Sequence, residues 1–97
     1  MHARMSTIYG AAEQGGNVTQ MFREQVLSAV KELGGKGAIL LVDRSSGKAV
    51  SITLWEDEGA MRQSEERANE LRREASERAG ASEPAKVDRF EVAVWEV

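Results

Sequence analysis

Apolar residues recur along this chain with two different periods. Val18, Phe22, Val26, Ala29 and Leu33 follow one another at steps of three and four, with Met21 and Val30 beside them. That spacing predicts one apolar stripe of a helix. Asn17 is placed to cap it, with Gln20 three residues on as the second member of a capping box. Gly34-Gly35 end it, because glycine takes the left-handed conformation without steric cost. A second stripe, Met61, Ser64, Ala68, Leu71 and Ala75, predicts another helix, opened by Asp57 or Glu58 and closed by Gly80. Its remaining positions are mostly charged. Arg62 with Glu66, Arg73 with Glu77, and Glu74 with Arg78 are spaced for i,i+4 pairing on a solvated face.

Elsewhere the period is two. His2 to Tyr9 reads as a strand, rich in β-formers at Thr7, Ile8 and Tyr9. Gly37 to Val42 is a continuous apolar run, and Asp43 to Lys48 is turn chemistry. Ala49 to Trp55 then alternates, with Val50, Ile52 and Leu54 on one face and Ala49, Ser51, Thr53 and Trp55 on the other. Lys86 to Glu96 alternates again, Phe90, Val92 and Val94 against Arg89, Glu91, Ala93 and Trp95. The order βαββαβ predicts a ferredoxin-like α+β sandwich: an antiparallel four-stranded sheet with both helices on one face. The more apolar set, Val50, Ile52, Leu54, Phe90, Val92 and Val94, is expected to face the helices. Thr53, Trp55, Arg89 and Trp95 then occupy the second face, where two tryptophans in water would mark an interface. A symmetric homodimer, sheet against sheet, is the expectation.

Composition narrows the chemistry. At 97 residues, a single domain spanning 1–97 is expected. With no cysteine and a single histidine, His2, neither a disulfide nor a Cys-based or multi-His zinc centre can be built, though a one-His site could, and no metal site is expected. The net charge of −3 argues against nucleic acid as a partner. No apolar run approaches a membrane span, so no membrane partner is expected. Met1 to Tyr9 carries no apolar signal core, and the expected compartment is the cytoplasm. Gly34-Gly35-Lys36-Gly37 has neither the flanking elements nor the ending of a phosphate loop. Ala49 to Trp55 lacks the Gly/aromatic motif of RNA-recognition domains, which share the element order.

The stretch Ser51-Ile52-Thr53-Leu54-Trp55-Glu56-Asp57-Glu58-Gly59-Ala60-Met61 resembles the antibiotic biosynthesis monooxygenase family. There a strand ending in an apolar-Trp-Glu step runs into a helix opened by acidic residues. The hairpin Asp43 to Ala49 also looks like that group's. The resemblance implies a dimeric α+β barrel with a pocket between helices and sheet. Activities across the superfamily it implies include cofactor-free oxygenation of aromatic polyketides, haem degradation and isomerisation, and many members have no known activity. In the haem-degrading branch the helix after the Trp-Glu step carries a haem-bending Trp and then an iron-ligating His. Laid out without gaps, those places fall near Ser64 and Glu74 here, and the family's strand-one Asn is missing between His2 and Tyr9. Haem degradation is therefore not expected.

Cofactor-free oxygenation asks for a dry aromatic pocket, a base and polar groups for an anion. The pocket candidates are Trp55 as a wall, Ser64 as a polar group on an apolar stripe, Tyr9 and Arg4 on the first strand, and Met61 and Phe22 from the two stripes. Packing is the alternative role for Trp55, and close helix–sheet approach for Ser64. No residue identifies itself as the general base. The reading is a cofactor-independent monooxygenase taking a hydrophobic aromatic substrate, with no metal, flavin or haem. Its rival is a non-catalytic ligand-binding or assembly domain of the same fold.

Overall fold

A computed structural model of the chain describes residues 1–96. Strand β1 (His2–Tyr9) leads through a short 3-10 turn into helix α1 (Gly15–Met21). A π-helical segment, Phe22–Val26, joins α1 to α2 (Leu27–Glu32). The hairpin β2 (Gly37–Asp43) and β3 (Lys48–Trp55) follows, then α3 (Glu58–Gln63), α4 (Glu65–Ala79) and β4 (Lys86–Glu91). The sheet order is β2-β3-β1-β4, and every neighbouring pair is antiparallel. This is the expected ferredoxin-like α+β sandwich.

Local chemistry accounts for most of the boundaries. Asp57 caps α3 by accepting from the Ala60 N–H at 2.8 Å. Gly80, at φ 66°, closes α4 in the left-handed conformation. In the hairpin turn, Asp43 Oδ1 accepts from the Ser45 N–H at 2.9 Å, and Gly47 sits at φ 82°. A Cβ on Gly47 would collide with the Gly10 carbonyl, so that position needs glycine twice over.

Four expectations need correction. Asn17 does not cap the first helix. Gly15 and Gly16 are themselves helical, Gln14 is the N-cap, and the Asn17 amide donates to the Gln14 side chain from inside the first turn. The second helix is two helices, because it breaks at Ser64. The final strand ends at Glu91 rather than Glu96, so Trp95 lies beyond the sheet and is 54% exposed. Arg62 pairs with Glu58 rather than Glu66, whereas Arg78 meets Glu74 at 3.2 Å as its spacing suggests.

The largest correction concerns the faces of the sheet. Arg4 is opposite Thr53 on one side and Arg89 on the other, so these three share a face. Arg4 hydrogen-bonds to Met61 and Ser64, which makes that face the helix side. It carries Ser6, Ile8, Ala49, Ser51, Thr53 and Trp55. Val50, Ile52, Leu54 and Phe90 point the other way, together with Ala3, Met5, Ile39 and Leu41. Alternation separates two faces without saying which is covered. Here the helices cover the smaller and more polar one, and three core clusters lie beneath them. These centre on Ile8, Val18 and Ala49, on Met21, Ala29 and Leu71, and on Val30, Trp55 and Met61.

Candidate functional site: a covered cavity with a polar floor

At the α3–α4 break, Ser64 is only 1% exposed. Its hydroxyl donates back to the Met61 carbonyl at 2.6 Å, and its N–H reaches the same oxygen at 3.2 Å. This local bonding competes with the helical ladder and turns the chain. Arg4, 3% exposed, enters the break from β1. Its Nη2 donates to the Met61 carbonyl at 2.8 Å and to Ser64 Oγ at 2.6 Å. Its Nε donates to Glu65 Oε1 at 3.2 Å. The guanidinium carbon lies 5.6 Å from the centre of the Trp55 ring, within cation–π range. Trp55, 1% exposed, satisfies its indole N–H on Thr53 Oγ1 at 2.9 Å. Arg4 and Trp55 are thus locked by protein partners.

Glu65 serves two cations. Arg89 grips it with both ends of a fork, Nε to Oε1 at 2.9 Å and Nη2 to Oε2 at 2.8 Å, while Arg4 holds the inner oxygen. The Arg89 hydrogen bond holds the Glu65 carboxyl below its ordinary value against the opposing effect of burial. Burial lowers the Arg4 guanidinium, and Glu65 partly restores it.

Beside this cluster lies a cavity of ≈ 70 Å³ between helices and sheet. Its floor combines Arg4, Ser6, Ser51 and Thr53 with apolar Ile8, Leu40, Ala49 and Trp55; its roof includes Met21, Phe22, Val26, Ala68 and Leu71, with Arg72 at the side. A water needs about 10–15 Å³ and a benzene-sized guest about 150 Å³. Several waters therefore fit as the chain stands, and an aromatic ring needs the roof to move outward. The π-helical segment carries Phe22 and Val26 in that roof, a kind of irregularity common at functional sites.

The structure brings Trp55, Ser64, Arg4 and Phe22 together around the cavity. Met61 packs behind Trp55 and supplies its carbonyl to Arg4. Tyr9 is elsewhere: it is 42% exposed on the open face, with Lys48 over its ring at 5.8 Å. Of the expected interface residues, Trp55 and Thr53 are buried on the helix side, where Arg89 also binds Glu65, so none of the three presents the second face of the sheet. Ser6, Ser51 and Arg72 were not anticipated. Ser6 and Ser51 are partners in the β1–β3 register, and Arg72 lies four residues after Ala68 on the inner stripe, which is the signal that could have found it. His2 is not frayed. It pairs with Trp55 and Glu91, and its Nδ1 is buried without a partner. Glu74 accepts from Gln25 and Arg78, both at 3.2 Å. Among the described residues, no three His, Cys, Asp or Glu side chains gather as a metal site. No helix there is long and apolar enough to cross a membrane.

No family model matches the chain. In solved structures the same architecture recurs over nearly the full length. A monooxygenase from the gene ActVA-Orf6 of Streptomyces coelicolor, in complex with the ligand nanaomycin D, superposes with a TM-score of 0.73 at 22% identity, covering 99% of this chain and 92% of that one. An antibiotic biosynthesis monooxygenase superposes at 0.70 and 18% identity, covering 97% and 100%. The chain has the antibiotic biosynthesis monooxygenase fold. The haem degrader MhuD of Mycobacterium tuberculosis, with two haems bound in its active site, shares this fold at a TM-score of 0.72 and 21% identity, covering 100% of each chain. Among curated proteins, the uncharacterised protein Rv2557 of M. tuberculosis (strain H37Rv) is 33% identical over 94 residues, 96% of this chain. The uncharacterised protein Rv2558 of the same strain is 37% identical over 73 residues, 74% of this chain. The chain spans 41% and 30% of the length of these two relatives. The solved structures that share this fold thus include both a monooxygenase and a haem degrader, and the fold alone assigns neither activity.

Proposed function

We propose that this chain binds a hydrophobic aromatic molecule in the covered cavity and oxygenates it without a cofactor, as a homodimer joined through the open face of its sheet. The observation that carries this reading is the cavity itself, an apolar roof over a floor in which hydroxyls and a guanidinium stand among apolar side chains. Nanaomycin D bound to the Streptomyces relative in fold supports the ligand class. Ser64 and Glu74 stand where a haem degrader would need a Trp and a His, which speaks against haem. The dimer rests on the second sheet face, where Ile39, Leu41 and Phe90 are 36%, 53% and 50% exposed.

In this reading the substrate supplies the electrons. An anthrone-like carbon acid loses a proton to solvent as it enters, no side chain of the cavity serving as base, and its carbanion reduces oxygen. A carbon–oxygen bond forms at that carbon, its second hydrogen leaves, and the other oxygen atom departs as water. The product is a quinone, and no external reductant is consumed. Ser6 and Ser51 are placed to hydrogen-bond the substrate's oxyanion, and the roof keeps water from the carbanion.

A second reading, ligand binding without turnover, is favoured by one observation: no carboxylate, imidazole or phenol lines the cavity to act as base. One experiment separates the two. Oxygen uptake with dithranol, an anthrone, is measured alongside its binding. Uptake above the buffer rate that is lost in Ala68→Phe, whose added ring fills the cavity, supports oxygenation. Binding without uptake selects the second reading. No binding at all overturns both.

A further inference from the structure

Two guanidiniums, Arg4 and Arg72, line the cavity, and no aspartate, glutamate or histidine does. They are not equally provided for. Arg4 has Glu65. Arg72 pairs with no carboxylate among the described residues. Its Nε donates to Ser6 Oγ at 3.2 Å and its Nη1 to Asn69 Oδ1. Its Nη2 is buried with no hydrogen-bond partner at all. Glu65 is the single acid that binds Arg4 and Arg89, so the three arginines around it are left with a local surplus of positive charge. The chain as a whole is acidic, at net −3. Arg72 is half-buried and feels the charge of Glu65 without an ion pair of its own, and a buried polar atom without a partner, as its Nη2 is, is uncommon. Burial and the proximity of Arg4 both lower the Arg72 guanidinium, so an anion at this place would relieve an existing strain in the electrostatics.

We infer that the ligand of this cavity is an acid: a flat apolar body under Met21, Phe22 and Leu71, carrying one carboxylate, or an equally acidic enol, that sits on Arg72 and Ser6. The geometry of a guanidinium fits a planar two-oxygen anion, which it can bind by paired N–H···O bonds. A phosphate fits less well, because its second charge and larger hydration shell would have to be stripped beneath an apolar roof. The inference rests on the reading that the cavity is a ligand site, and it adds which end of the ligand is recognised and by what.

The test compares benzoate with benzamide, which has the same ring and a neutral head group of nearly the same shape. Both are titrated into 15N-labelled protein near neutral pH at fixed ionic strength, following the Trp55 indole N–H and the Arg72 Nε–H by NMR. Benzoate is expected to bind about tenfold or more tightly than benzamide, the scale of a charge-assisted hydrogen bond. Arg72→Met should remove that preference, and Arg72→Lys should restore part of it. Equal affinity of the two probes, or a preference that survives Arg72→Met, overturns the acid while leaving the cavity as a neutral-ligand site. If neither probe moves the Trp55 signal, the cavity reading falls and takes this inference with it. Should Arg72→Met not fold, the wild-type comparison and Arg72→Lys decide the question between them.

Discussion

The two faces of the sheet differ in a direction opposite to simple hydrophobic bookkeeping. The face under the helices presents Arg4, Ser6, Ser51 and Thr53 among a few apolar groups, Ile8, Leu40 and Trp55. The open face presents Met5, Ile39, Leu41, Ile52, Leu54 and Phe90. Covering a polar, small-residue floor with apolar helices leaves room between the layers, and the cavity occupies that room. An apolar face without a cover is a surface that wants a second layer. A fold that placed its better hydrophobic face inward would gain core and lose the pocket. This one keeps the pocket, and its open face is suited to association.

Substitution on each face tests that contrast. The largest effect is expected for Trp55→Ala. Trp55 is 1% exposed and packs with Val30 and Met61. Truncating a buried large aromatic costs about 3–5 kcal/mol. In a domain of this size that lowers the melting temperature by about 15 °C or more. A thermal melt within a few degrees of wild type would show that the covered face does not depend on its tryptophan. On the open face, Leu41→Asp should do the reverse. Leu41 is 53% exposed, so the melting temperature of the isolated subunit should barely change. Burying that carboxylate in a sheet-to-sheet interface would cost several kcal/mol, and sedimentation should register the loss of dimer. An unaltered dimer in Leu41→Asp would move the interface off this face.

What could be read from the sequence follows from what kind of information each feature carries. The element order was legible because apolar spacing and punctuation residues, Asp57, Gly34 and Gly80 among them, act locally. The covered side of the sheet was not, since Val50, Ile52 and Leu54 form an equally regular stripe whichever way they point. Trp95 was misplaced for a related reason: alternation continues past Glu91, but the partner strand runs out, its last bond joining the Val92 N–H to the Met1 carbonyl at 2.8 Å. At the site, Trp55, Arg4 and Ser64 could be nominated from the resemblance and from polarity on an apolar stripe. Their mutual arrangement could not, because it depends on Arg4 reaching across some sixty residues of sequence to the α3–α4 break (|i−j| = 60). Arg72 was lost among the many charges of α4, where only its place four residues after Ala68 on the inner stripe sets it apart from its neighbours.

The break itself offers a smaller test. Ser64→Ala removes the hydroxyl that both accepts from Arg4 and donates to the Met61 carbonyl. Arg4 keeps its own bond to that carbonyl, so no charge is stranded outright. A loss of about 1–2 kcal/mol is expected, the scale of a hydrogen bond to a charged group. Chemical denaturation with an unchanged m-value would attribute it to stability alone. Stability equal to wild type would mean that the Arg4–Ser64 contact contributes nothing to the covered face.

The smallest effect is a matter of pH. The Arg89 fork and Arg4 favour the ionised form of Glu65, holding its carboxyl below the ordinary range in the folded chain. A carboxyl depressed on folding stabilises the fold at pH values above its unfolded pKa. That stabilisation fades as pH falls through the lower, folded value. Glu65→Gln keeps an acceptor but removes the charge, so it should lower stability by about 1 kcal/mol near neutrality. Because protonation removes the same charge from the wild-type residue, the two proteins should converge on acidification. Melting temperatures taken from neutral pH down into the acid range therefore have a defined shape: a gap that is constant at first and closes only in the carboxylate region. A gap that persists undiminished at the acid end would assign the effect to the shape of the side chain rather than its charge. The polar side of the covered face would then owe nothing to the sharing of one carboxylate between two arginines.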